Sequence, residues 1–99
     1  MIDRNYSIGN LSEEKQKELN ELAGREITLK EIRLIPYIHY CAINSSMPSK
    51  RKCTDEELDI YDFLLNEKHV IKTKSNTIIF SAKYRQIVYF VLQWAYEGL

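Results

Sequence analysis

Near the end of the chain stands "IVYFVLQWAY", residues 87–96, in which only Gln93 is polar. A helix that is apolar around its whole girth has to be buried on most sides. A second stretch of this kind follows Pro36: Tyr37, Ile38, Tyr40, Cys41, Ala42 and Ile43. The chain has only 99 residues. A domain of that size has one small core and buries roughly 60–65% of its unfolded surface. It surrounds one such helix more easily than two. The simplest remedy is a second copy, since closed two-fold dimers are the commonest oligomers. The expectation is a homodimer through Val88, Phe90, Val91, Leu92 and Trp94, some lining the core and some the interface. The alternative is that the N-terminal segment and a helix at 12–23 cover the surplus.

The remaining elements follow from local signals. Residues 1–10 form an entry segment, extended around Tyr6 and Ile8. "SEEKQKELNELAG" reads as a short helix capped by Ser12 and closed by Gly24, with Glu13 and Glu14 at its positive end. Thr28 and Glu31 have the spacing of a capping box. Pro36 lacks a donor and crowds the preceding turn, so a kink or two short helices are expected. "NSSMPSKRKC", residues 44–53, is a loop. Thr54 and Glu57 form a second box and open another helix. At 100° per residue, Leu58, Ile60, Tyr61, Leu64 and Leu65 share one side of it, opposite Asp55, Glu56, Asp59 and Asp62. Val70–Thr73 and Thr77–Phe80 are strand-like, with Ser75 and Asn76 at the turn. Ser81 caps the last helix.

The order helix, kinked helix, helix, hairpin, helix resembles the winged-helix fold. "TDEELDIYDFLLNEKHVI" stands as its third helix and "IKTKSNTIIF" as its wing. The expected fold class is mainly α with a small β-hairpin, in a single domain over 1–99 whose winged-helix-like core spans 11–98. The resemblance implies a DNA-binding regulator whose third helix enters the major groove. Here that helix carries Asp55, Glu56, Glu57, Asp59 and Asp62. Residues 44–53 also stand where a helix-turn-helix has a turn of about three or four residues.

Charge bears on the same question. The chain has 14 Lys+Arg against 14 Asp+Glu, whereas nucleic-acid modules carry a basic excess. From Lys68 to Arg85 there are five cations and no acid: Lys68, Lys72, Lys74, Lys83 and Arg85. With Lys50, Arg51 and Lys52 they are candidate contacts to a nucleic acid or an acidic partner. Lys72 and Lys74 are expected on one face of the hairpin, although strand lysines also discourage edge pairing. Asp55, Glu56, Asp59 and Asp62 are a solvated face or an acidic partner surface.

Reaction chemistry finds little footing. His39, Cys41, Cys53 and His69 lack the close ligand pair of a structural zinc site. No Cys–His pair has an orienting group at recognisable spacing. The carboxylates at 55, 59 and 62 share one environment, not two. No catalytic residue, cofactor or metal is expected. The two cysteines form no disulfide framework, no secretory signal opens the chain, and no run approaches the roughly 20 apolar residues of a membrane helix. The expectation is a cytoplasmic, non-enzymatic regulatory or adaptor protein, working by protein–protein contact and as a homodimer. The runner-up is a dimeric winged-helix DNA-binding regulator that uses the basic hairpin and loop.

Overall fold

The computed structural model describes residues 10–96. The entry segment around Tyr6 and Ile8 and the final residues 97–99 lie outside the described residues. Four helices and one hairpin follow in order: α1 (Glu13–Ala23), α2 (Leu29–Ile43), α3 (Asp55–Asn66), β1 (Val70–Lys72), β2 (Ile78–Phe80) and α4 (Ala82–Ala95). This is a mainly α fold with a small β-hairpin, and its order is compatible with a winged-helix layout.

Each helix starts on a hydroxyl. Ser12, Thr28, Thr54 and Ser81 accept from the backbone N–H three residues on, which satisfies one of the orphan donors of the first turn. Thr54 and Glu57 complete a reciprocal box: the Thr54 N–H donates to Glu57 Oε1 at 2.8 Å. At Thr28 only half of the box forms, because the Glu31 carboxylate is drawn into the core. Gly24 ends α1 with φ +74°, in the left-handed region that glycine enters at little cost.

Pro36 does not split α2, which runs as one helix from Leu29 to Ile43. It does leave the Ile32 carbonyl without its usual partner four residues on. The Tyr96 hydroxyl donates to that carbonyl at 3.4 Å, so the end of α4 restores part of what the proline removes.

The strands pair antiparallel, Val70 with Phe80, Ile71 with Ile79 and Lys72 with Ile78. They are one residue shorter than expected at the turn, where the Thr73 and Thr77 hydroxyls bond each other at 2.7 Å and Asn76 takes φ +62°. Val70, Ile78 and Phe80 face the core, and Ile71 and Ile79 face out.

A single cluster of buried residues draws on every element. Leu19 and Ala23 come from α1, Ile32, Leu34, Ile35, Ile38 and Cys41 from α2, and Tyr61 and Leu64 from α3. Tyr84, Ile87, Val88, Val91 and Ala95 come from α4. Helix α4 packs on both α1 and α2. Between α1 and α2, Ile27 is buried although its backbone is in no strand. The Asn20 side-chain Oδ1 accepts its N–H at 2.9 Å, and the Gln16 side-chain amide donates to its carbonyl at 2.9 Å. Two polar residues of α1 thus work as a clamp on a buried backbone.

Candidate interaction surfaces

Helix α3 turns its acids outward. Asp55, Glu56, Asp59 and Asp62 are exposed, while Tyr61 and Leu64 are buried and Leu58, Ile60 and Leu65 partly so. Glu56 pairs with Lys30 at 3.0 Å on the open surface, a contact of little energetic weight.

The basic residues do not converge on one surface feature. Lys50, Arg51 and Lys52 are exposed in the loop after α2, which is tied to that helix by the Ser49 N–H donating to the Tyr37 hydroxyl at 3.2 Å. Lys72 is exposed in β1, but Lys74 lies in the turn, so the period of two does not place them on one face. Lys83 stands over the end of α1: a Cβ on Gly24 would lie 3.9 Å from its Nζ. An ammonium there meets the negative end of the helix. Arg85 donates to the Phe80 carbonyl at 3.4 Å.

The last helix is largely accounted for within one chain. Val88 and Val91 are fully buried, and Phe90 and Leu92 are half-buried against the core. Trp94 is partly exposed and carries Lys15 of α1 over its ring, 3.8 Å from the centroid.

Besides Leu29, Phe63 and Ile71, which are exposed at other places, apolar surface gathers between α2, the hairpin and α4. Exposure is 66% for Ile43, 49% for Ile79 and 57% for Tyr89. They rim a cavity of about 200 Å³ whose other walls are His39 and Ala42 of α2, Ile78 and Phe80 of β2, and Arg85 of α4. Tyr89 meets His39 edge to face, with centroids 6.5 Å apart. Tyr40, one helical turn before Ile43, is also exposed. Only Arg85 and His39 bring polar side-chain groups besides the tyrosine hydroxyl, and no carboxylate lines the cavity.

A second constellation is centred on a buried carboxylate. Glu31, 3% exposed, accepts a forked pair of bonds from Arg25, both at 2.9 Å, and one from the Tyr84 hydroxyl at 2.7 Å. Bonding to Glu31 raises the Arg25 pKa, and burial holds the Tyr84 phenol well above its ordinary value. His69 stacks on Tyr84 with centroids 5.3 Å apart, and Phe63 lies beneath the Arg25 guanidinium at 4.9 Å. The group is a buried polar knot joining α2 to α4. The Tyr61 hydroxyl is buried with no partner, and burial pushes it up to about 12.

His69 has a measurable consequence. Burial, and then the nearby Arg25, lower its pKa, against weaker opposite effects from Glu31 and Glu67. The unfolded chain therefore takes up this proton first, and stability falls as pH drops below the ordinary histidine value of 6.5. In urea titrations, His69→Phe keeps a ring on Tyr84 and is expected to flatten the stability profile between about pH 7 and pH 5. An unchanged slope would assign the acid sensitivity to other groups.

The four residues considered for zinc are scattered: Cys41 is a buried free thiol, Cys53 a half-buried one, and His39 and His69 face different aromatic partners. Among the described residues no three His, Cys, Asp or Glu side chains come together. No helix among them is long and apolar enough to cross a membrane. Comparison with known protein families, functionally described proteins and solved structures returns no match.

Proposed function

We propose that this chain is a small, non-enzymatic regulatory or adaptor protein acting through protein–protein contacts. The observation that carries the reading is the apolar groove rimmed by Ile43, Ile79 and Tyr89. Apolar side chains gathered around a concavity on an otherwise charged surface mark interaction sites. In the set of titratable groups around Glu31, the carboxylate and the Tyr84 phenol are buried and bonded to each other, with Arg25 and His69 at the edge of the core. Helix α1 packs on α4 within one chain and leaves Tyr89 and Trp94 exposed; the homodimer stays part of the proposal, and the groove is assigned to a different protein.

Immobilised wild-type protein is expected to retain a specific partner from cell extract, and the Ile43→Asp, Tyr89→Asp variant to lose it. Both side chains are exposed, so the variant should fold. Equal capture by the two proteins would sink the reading.

The DNA-regulator reading keeps one observation in its favour. Lys72 and Lys74 are exposed at the hairpin and make no ion pair among the described residues. Against it, the acidic side of α3 faces outward and would repel phosphates. The expected result is no mobility shift with random duplex at moderate salt. A shift whose salt slope falls by roughly one to two units in Lys72→Ala, Lys74→Ala would instead favour DNA.

A further inference from the structure

We infer that the groove between α2, β2 and α4 takes a short acidic–apolar peptide segment of another protein. One large apolar side chain enters the cavity and a neighbouring carboxylate binds Arg85. This rests on the protein-contact reading above and names the chemistry of the partner.

The cavity measures about 200 Å³. It is an open depression rather than an enclosed void, and its volume is on the scale of a single leucine- or phenylalanine-sized anchor. Its floor is preformed: Ile78 and Phe80 are buried side by side with the core, so no collapse is needed before docking. Ile43, Ile79 and Tyr89 stand up around it as a rim.

Charge decides which segment fits. The chain has equal numbers of acids and bases, yet the groove carries a cation and no carboxylate. The Arg85 side chain is exposed, makes no ion pair among the described residues, and gives only a long bond to Phe80 O. Its planar fork matches a carboxylate. A single cation in an apolar setting is a poor phosphate track, which needs several. A second copy of the chain is a worse fit than a foreign segment. The chain's own exposed acids lie on α1 and α3, whose large apolar residues Leu19, Tyr61 and Leu64 are buried in the core, while Phe63 beside Asp62 lies under Arg25, so no free apolar anchor stands next to them.

Two blocked peptides test this, each with a Leu-Phe core, one flanked by two aspartates on either side and the other by lysines. Each is titrated into ¹⁵N-labelled full chain and followed by NMR. The aspartate peptide is expected to shift the Ile43, Ile79 and Tyr89 amides saturably and to bind at least about tenfold tighter than the lysine peptide. Arg85→Glu should invert the preference, and Ile43→Asp should abolish binding of both. The rest of each spectrum reports that the variant is folded. Equal binding of both peptides overturns the acidic partner while leaving the adaptor reading, which the capture experiment tests separately. No shift with either peptide overturns the inference. So do shifts of the same amides with protein concentration alone, which would place a second copy in the groove.

Discussion

Replacing Arg25 by methionine is expected to destabilise the fold by about 3–5 kcal/mol, more than removing either of its neighbours in the buried knot. The reason is asymmetric exposure. The Glu31 side chain is 5% exposed and Arg25 is 27% exposed. Without Arg25 the carboxylate is stranded in the core with only the Tyr84 hydroxyl to serve it. Without Glu31 the guanidinium can swing into water, so Glu31→Gln should cost less, about 1–3 kcal/mol. Tyr84→Phe removes one hydrogen bond to a charged acceptor and should cost about 1.5–3 kcal/mol. Arg25→Met combined with Glu31→Leu should recover much of the loss, since apolar replacements of buried pairs are often tolerated. Urea midpoints of these four variants and of Glu31→Leu give the ordering, and the cycle of Arg25→Met, Glu31→Leu and their double gives the coupling. A loss below about 1 kcal/mol for Arg25→Met, with no coupling to Glu31, would show that the knot does not hold α2 to α4.

Part of this knot was legible in the chain. Glu31 lies four and seven residues before Ile35 and Ile38, so the helical period puts a carboxylate on the buried stripe of α2. The capping-box spacing with Thr28 offered a local explanation, which turned attention from that placement. Its partners were not legible, because Tyr84 lies 53 residues away and pairing at that range is set by packing. The caps, the hairpin, the outward acids of α3 and the element order were all readable, since each depends on neighbours within a turn or two. The continuity of α2 through Pro36 was not, because the compensating Tyr96 hydroxyl arrives from 64 residues on.

The groove was hidden for a different reason. The apolar excess is visible in the stretches 37–43 and 87–96, but the sequence points to an interface only on the second of them. Ile78, Ile79 and Phe80 are consecutive apolar residues in a strand, and in a two-stranded hairpin the middle one has to point away from its neighbours. That alternation could have marked Ile79 as exposed. Ile43 and Tyr89 join it only through the packing of α2 against α4. Helix α1 decides part of where the excess ends up, because it covers one side of α4.

That role of α1 gives the other large effect. Leu19 is fully buried, and Leu19→Ala is expected to cost about 3–5 kcal/mol from lost transfer energy and the cavity left behind. The loss should not be spread evenly. Among the helices and strands described, α1 packs mainly on α4, helped by the Gln16–Asn20 clamp on Ile27 and by Lys15 over Trp94. The cation–π contact contributes only about 0.5–1 kcal/mol, so it cannot hold the helix once Leu19 is truncated. Trp94 is the single tryptophan of the chain, and its emission reports on this contact directly. In Leu19→Ala the red shift of Trp94 should come at lower urea than the loss of far-ultraviolet helix signal. The wild type should lose both together. Loosening α1 also bares the part of α4 it packs on, so light scattering of the variant should show mass rising with concentration at low urea. Coincident transitions and an unchanged mass would mean that α1 unfolds only with the whole domain. The cover over α4 would then be inseparable from the core itself.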